Sequence, residues 1–172
     1  MILAVAILAA ASIIYHTFRN GISPMPSSKI VRDEIAKMVA GEKQVYELGC
    51  GFGHLAFAIA KKNPQCEVIA IENSLIPYLC AALLRKMSRV SNMRVIYGDF
   101  WQLDFAEIET IVTYQYRAGV QKLYTKMQNE TQFGVKFITN TFAIKNLSPI
   151  SKIITNDLSN STIYYYNIYS RH

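Results

Sequence analysis

The chain has 172 residues, enough for one domain with a substantial core and too few for two ordinary domains. With 51% hydrophobic and 17% charged residues, it holds ample apolar surface to offset the entropy of ordering, which excludes intrinsic disorder. The net charge of +6 suits nucleic acid, an anionic membrane surface or an acidic cofactor. The three cysteines, Cys50, Cys66 and Cys80, have no CxxC spacing, so they indicate neither a disulfide scaffold nor a zinc site and fit a reducing compartment.

Met1 to Phe18 carries no charged residue, and Met1 to Tyr15 is interrupted only by Ser12. Eighteen helical residues reach roughly 27 Å, just short of a hydrocarbon layer of about 30 Å. The segment 1–18 is therefore expected to be a transmembrane anchor, with residues 19–27 a linker and 28–172 the folded domain. A cleaved signal peptide is the rival, since Ala9-Ala10-Ala11 resembles a cleavage site, but no basic region precedes the apolar run. A buried core helix is the third reading. Arg19, Lys29, Arg32 and Lys37 all follow the run, so the positive-inside rule places the domain on the cytoplasmic side of the membrane. A bacterial inner membrane is preferred to a mitochondrial one, because no arginine-rich, acid-poor presequence opens the chain.

Beyond Ser23-Pro24-Met25-Pro26, Ser27 or Ser28 is placed to cap a helix whose Val31, Ile35, Met38 and Val39 share a face, ended by Gly41. A buried strand over 44–48 and a glycine cluster follow. The next helix, about 54–62, breaks at Asn63-Pro64. A second strand spans 68–71, a helix 75–86, a third strand 93–97 and a fourth 110–114. A helix near 120–127, a strand near 135–139, and β-rich runs at 150–155 and 162–169 complete the order. Alternating strands and helices imply parallel pairing in a doubly wound α/β domain. The last two strands break that rhythm, and residues 156–160 between them predict an antiparallel hairpin at the sheet edge. In such sheets a ligand lies beyond the carboxyl ends of the strands, at the switch point beside the first strand.

The glycine cluster lies there: Glu47-Leu48-Gly49-Cys50-Gly51-Phe52-Gly53-His54. A dinucleotide fingerprint would need glycine at position 54, and a nucleotide-triphosphate loop would need Gly-Lys-Ser/Thr. Glu47 at the strand end would repel a pyrophosphate and attract a cation. S-adenosyl-L-methionine carries two, an ammonium and a sulfonium. Glu72 ends the second strand, where a carboxylate accepts two ribose hydroxyls, with Asn73 beside it. Asp99 follows the third strand in Gly98-Asp99-Phe100-Trp101, placed to accept from an adenine amino group while Phe100 or Trp101 packs on the ring. His54, at a helix start, reads as structural or solvent-facing rather than catalytic.

Glu47 to Gly53, Glu72 and Gly98-Asp99 resemble the motifs of the class I, seven-strand S-adenosylmethionine-dependent methyltransferases, over roughly residues 28 to 172. The resemblance implies a Rossmann-like, mostly parallel seven-strand sheet. It also implies that Glu47, Gly49, Gly51 and Gly53, with Cys50 among them, hold the methionine part, that Glu72 holds the ribose, and that Asp99 lies near adenine. A narrower similarity rests on the apolar start, Pro24-Met25-Pro26-Ser27-Ser28, Asp99-Phe100-Trp101 followed by Asp104-Phe105, and Ile138-Thr139-Asn140-Thr141-Phe142. These features look like the small membrane-anchored lysine methyltransferases of mitochondria that modify the adenine nucleotide translocase and the ATP synthase c subunit, and their prokaryotic relatives. A protein lysine substrate, in a membrane protein or elsewhere, is what that implies.

Thr113-Tyr114-Gln115-Tyr116 stands where many amino-methylating enzymes carry Asn/Asp-Pro-Pro-Tyr. Its departure from that motif argues against a planar nitrogen and leaves room for an aliphatic amine. Tyr114 and Tyr116 are candidates to line a lysine channel by ring contacts with an ammonium. Pro26 and Ser27 are further contact candidates. Methyl transfer to a neutral amine needs alignment and a proton exit more than a strong base, so no catalytic residue is assigned. Arg85, Lys86, Arg89 and Arg94 make RNA the alternative substrate, and a small-molecule or lipid acceptor is a further one. A membrane-tethered module that binds cofactor without turnover is the non-enzymatic reading.

Overall fold

The computed structural model describes residues 27–171. The expected anchor over 1–18, and all of the linker except Ser27, lie outside the described residues. Among the described residues, no helix is long and apolar enough to cross a membrane.

Helix α1 (Lys29–Met38) starts where the Ser28 hydroxyl accepts from the Val31 N–H at 3.2 Å, and it buries Val31, Ile35 and Ala36 on one face. Strand β1 (Gln44–Leu48) leads through the glycine turn into α2 (His54–Lys62). Helix α2 stops at Asn63, whose side-chain amide donates to the carbonyls of Ile59 and Ala36, closing the helix end and tying it to α1. Then come β2 (Glu67–Glu72), α3 (Leu75–Ser88) and β3 (Met93–Tyr97). After a 3₁₀ turn at Phe100–Gln102, the chain forms β4 (Thr110–Thr113), α4 (Arg117–Glu130) and β5 (Val135–Asn140). The last strands are β6 (Ser151–Ile154) and β7 (Thr162–Ile168). Most bounds agree with the sequence reading to within two residues. Helix α4 is the exception, extending three residues further at each end than its apolar core indicates.

Seven strands form one mixed sheet in the order β3-β2-β1-β4-β5-β7-β6. The first five are parallel, and β7 pairs antiparallel with both β5 and β6. Two apolar layers result because side chains alternate across each strand. Val45, Val68, Ala70, Val112 and Ile138 face the core shared with α1, α2 and α3. Leu48, Ile69, Ile71, Ile111 and Phe137 face the core shared with Val120, Leu123 and Met127 of α4. Strand β2, buried on both faces, is accordingly a continuous apolar run between its terminal glutamates rather than an alternating one, and β4 buries a threonine at each end besides Ile111 and Val112.

The chain crosses from β3 at one edge back to β4 on the far side of β1, so the switch point of this sheet lies beyond Leu48. Two glycines there are required by different facts. Gly53 has φ +77, and a Cβ on it would come 2.8 Å from the Ala81 Cβ, so it sets how closely α2 approaches α3. Gly51 has φ +55 with open space where a Cβ would stand. Gly53→Ala should therefore lower unfolding stability by about 2–4 kcal/mol, combining left-handed strain with overpacking. Gly51→Ala should cost about 1 kcal/mol from strain alone. Urea denaturation of the two variants against the parent checks the ranking, and equal losses would mean that the α2–α3 approach is not constrained at Gly53.

Candidate functional site

The site is built on three neighbouring strand ends. Glu47 lies within β1, opposite Ala70 of β2 and Val112 of β4, on the same face as Val45 and so towards α2. The Ala56 N–H, in the first turn of α2, bonds to its carboxyl, which supplies the cap that Gly53 cannot offer from a side chain. Its Oε2 is buried and has no hydrogen-bond partner among the described residues. Burial pushes the Glu47 carboxyl up to about 8 against the opposing Ala56 N–H, with the Glu72 charge adding to the rise.

The turn above it is fixed from β2. The N–H groups of Gly49 and Cys50 both donate to the Ile71 carbonyl, at 2.9 and 3.0 Å. Glu72, also buried, then accepts from the Gly51 N–H through Oε2 and from the Ser74 N–H through Oε1, each at 2.8 Å. One carboxylate thus holds the glycine turn and the start of α3, and two of its roughly four acceptor positions stay open. The Gly98 N–H donates to the Glu72 carbonyl, which places Asp99 two residues beyond the end of the neighbouring strand. Asp99 accepts from the Trp101 N–H at 3.1 Å and so caps the 3₁₀ turn.

The remaining sequence candidates fall in different places. Cys50 turns into the core, where burial drives its thiol well up; its backbone joins the turn, and the thiol donates to the Gly51 carbonyl at 3.7 Å. Asn73 accepts from the Ser74 hydroxyl at 3.3 Å. Phe100 is a buried core residue at the floor of the turn, 3.7 Å from where a Gly49 Cβ would stand. Trp101 is half-buried, with the Lys122 ammonium 4.1 Å from its ring centroid. His54 stands at the start of α2, where burial and the Arg32 charge lower its imidazole. Of the four basic candidates, Arg85 donates through Nε to the Met93 carbonyl and Arg94 pairs with Glu67 at 3.2 Å. They are not four free cations on one face.

Beside the turn lies a cleft of about 610 Å³, bordered by Ser27, Tyr114, Asn140, Thr141, Asp157 and Thr162 among others. Tyr114 follows Thr113, whose hydroxyl donates to the Leu48 carbonyl at 2.8 Å, so the cleft begins next to the glycine turn. The Tyr114 ring stacks near Phe142, centroids 6.5 Å apart. Tyr116 is not on the cleft wall: it precedes α4, and its ring lies against Gly119. Sequence reasoning passed over three contributors. Gln115 is buried and backs the turn, its Nε2 only 2.6 Å from where a Gly49 Cβ would stand. Asn140, also buried, donates to the Ser27 hydroxyl at 3.4 Å. Asp157 accepts from the Ser161 N–H at 2.8 Å and from the hydroxyls of Ser28, Ser161 and Thr155, bonds that hold its carboxyl down at about 2. The two cleft walls, α1 and the β6–β7 turn, are thus tied together. The quoted run Ile138 to Phe142 pointed at Asn140, but no local pattern marks Gln115 or Asp157.

The strand order with acids at three successive strand ends defines a class I, S-adenosylmethionine-dependent methyltransferase. The residues fit that cofactor: an unpaired buried carboxyl oxygen needs a donor or a proton, and the open space over Gly51 allows a ligand to approach the backbone. Residues 47–151 match the family described as the ANTKMT methyltransferase domain, and the chain belongs to that family. It is 28% identical over 149 residues to a protein-lysine N-methyltransferase of Saccharolobus islandicus (strain REY15A), covering 84% of this chain and 91% of the relative. It is 26% identical over 132 residues to a probable ribosomal RNA small subunit methyltransferase A of Methanosarcina acetivorans; that match covers 76% of this chain but only 48% of the relative. Among solved structures, an RNA methyltransferase from Salinibacter ruber in complex with S-adenosyl-L-homocysteine superposes with a TM-score of 0.75 at 20% identity, over 86% of this chain and 95% of that one. The B. subtilis tRNA methyltransferase TrmK gives a TM-score of 0.66 at 15% identity, over 85% and 68%. These two likenesses establish the fold.

The raised Glu47 carboxyl has a stability consequence. A group lifted from 4.5 to about 8 on folding contributes stability that is fully present below the unfolded value and is lost as pH rises through the folded one. Glu47→Gln, which keeps shape and removes ionisation, should gain on the parent in urea midpoint as pH rises from about 6 to about 9. A pH-independent difference would show that the carboxylate is buried at no cost.

Proposed function

We propose that this chain transfers methyl groups from S-adenosyl-L-methionine to a lysine amine of a protein. Glu47, the turn Gly49, Cys50, Gly51 and Gly53, Glu72 with Asn73, and Asp99 with Phe100 form the cofactor site in this reading. The observation that carries it is the unpaired, buried Oε2 of Glu47 beneath a glycine turn, a place suited to a cationic amino acid and hostile to a phosphate. When bound, the cofactor supplies an electrophilic methyl on a sulfonium. Glu47 would pair with the ammonium by giving up its proton to water as the cation enters, Glu72 would offer acceptor positions to ribose hydroxyls, and Asp99 would offer its second oxygen to the adenine amine. Phe100 serves as the apolar floor, since it is buried.

The acceptor side is the cleft at Tyr114. An aliphatic amine suits it, because an aromatic face at the mouth stabilises an ammonium and its methylated forms, and because the Thr113-Tyr114-Gln115-Tyr116 segment lacks the prolines that brace a planar nitrogen. The near full-length similarity to a protein-lysine N-methyltransferase supports the same substrate class. RNA is the second reading, favoured by the RNA-methylating relatives, but one of its four candidate cations, Arg94, is paired with Glu67.

Labelled methyl from S-adenosyl-L-methionine, supplied to separated membrane and soluble extracts, should enter material that protease removes and nuclease does not. The label should be recovered as methyllysine. Glu72→Ala, which removes charge-assisted hydrogen bonds each worth about 1.5–3 kcal/mol, should weaken cofactor binding by tenfold or more. Nuclease-sensitive label would give RNA first place, and solvent-extractable label would favour a lipid or metabolite.

The uncharged stretch 1–18, with basic residues only after it, supports a domain held at the cytoplasmic face of a membrane. The full-length protein should then sediment with membranes and be released by detergent. Recovery in the supernatant without detergent would sink the anchor and leave the methyltransferase reading intact.

A further inference from the structure

Among the described residues, helix α3 is covered on one side only. It buries Pro77 and Ala81, while Leu75, Leu79, Leu83 and Met87 keep 49, 54, 56 and 74% of their surface exposed. A spacing of four residues puts them in one row along the helix, and Lys86 falls inside that row on the same helical period. Exposed Ile96 and Tyr97 on the edge strand β3 extend the apolar surface, the Tyr97 ring lying 5.2 Å from that of Tyr78. A contiguous apolar row on a water-soluble surface marks something that covers it.

Charge identifies what. From Glu72 to Asp99 there is no acidic residue between, and Arg85, Lys86, Arg89 and Arg94 all fall in that interval. Arg85, Lys86 and Arg89 are exposed at the carboxyl end of the row. A second copy docked through this face about a two-fold axis would offer the basic margin no acidic counterpart, since the same interval of its chain also holds none. RNA would find aliphatic side chains along the row, with Tyr97 and its neighbour Tyr78 as the rings at its flank, where an extended strand needs a series of aromatic platforms. An apolar face with a basic margin and no acids is the pattern of a helix lying in the interface of an anionic bilayer, leucines in the acyl boundary and cations at the headgroups. We propose that α3 is a lipid-docking surface by which the domain lies against an anionic membrane.

The consequence is orientation. Helix α3 begins at Ser74, whose N–H is held by Glu72, so the row starts at the rim of the cofactor site. A domain resting on α3 presents the carboxyl edge of its sheet alongside the membrane surface rather than away from it. This proposal stands apart from the choice of methyl acceptor, and its test involves no methyl transfer.

Cys80 is exposed next to the row, whereas Cys50 and Cys66 are buried, so a polarity-sensitive fluorophore can be attached to the full-length chain at Cys80 alone. With vesicles of phosphatidylglycerol and phosphatidylcholine in equal parts, its emission should shift to the blue and be quenched by lipids brominated in the acyl chains. Pure phosphatidylcholine vesicles should give little response. Leu79→Glu with Leu83→Glu should abolish the shift, and because both side chains are exposed, an unchanged far-ultraviolet spectrum shows that the fold is kept. Replacing Lys86 or Arg89 by Gln should weaken apparent partitioning about fivefold each. No response to anionic vesicles overturns the proposal, and an equal response to neutral ones overturns the charge argument. Blue-shifted emission before lipid is added overturns it too: concentration dependence then assigns the face to a second copy, and concentration independence to another part of the chain. A shift produced by RNA overturns it in favour of nucleic acid.

Discussion

A carboxyl group in the middle of a parallel sheet is the constraint around which this molecule is organised. Glu47 occupies a β1 position flanked by Ala70 and Val112, where an isolated charge would pay a large desolvation penalty. The fold answers in two ways: α2 starts so that its Ala56 N–H meets one side of the carboxyl, and the proton affinity rises until the group is mostly neutral near neutral pH. The second oxygen remains without a partner. A buried acceptor left open costs roughly 1–3 kcal/mol, and the natural compensation is a ligand that brings a donor.

The same economy of polar groups continues outward. Ile71 receives two backbone N–H groups from the turn, and Glu72 takes the next one while also fixing Ser74. Glycine conformations, strand register and the start of α3 are therefore set by two consecutive residues of β2. Asn92 performs a comparable service at the other end of the sheet. Its amide reaches the carbonyls of Ala60, Asn63 and Cys66 at 2.8–3.0 Å, joining the end of α2 to the approach to β3. The binding edge and the far edge are both held by single polar side chains.

Much of this was legible from sequence because it is local or periodic. Strands β1 and β3 fell at their observed bounds, since buried runs flanked by turn residues leave little choice, and the antiparallel hairpin followed from a short polar connection. The acids at three strand ends were legible because the topology repeats. What escaped was what periodicity does not encode. Arg85 and Arg94 look like one patch in the chain, yet one turns to a backbone carbonyl and the other to Glu67 on β2; adjacency in sequence is not a shared face. Gln115, Asn92 and Asp157 act through partners far along the chain or through a turn geometry that their neighbours do not announce. The ends of α4 are polar and make no amphipathic pattern, so its extent came only with the backbone.

The cleft also constrains how a proton can leave. Asp157 is its carboxylate, and four hydrogen-bond donors hold it near 2, which makes it a fastener between Ser28 and the β6–β7 turn rather than a base. Asn140 and Thr141 bond to one another through the Thr141 hydroxyl, and Tyr114 is committed to a stacked pair with Phe142. Glu47, the acid that burial pushes up to about 8, lies on the α2 side of β1 and bonds to the Ala56 N–H. In the proposed reading, an amine entering at Tyr114 meets shape and an aromatic face and, among the described residues that line the cleft, no carboxylate free to take its proton. Such an amine would arrive neutral, having lost its proton to water before alignment. Rate in such a site is governed by how well the walls hold the amine in line, and those walls are joined at Ser27–Asn140 and Ser28–Asp157, contacts remote from the cofactor acids.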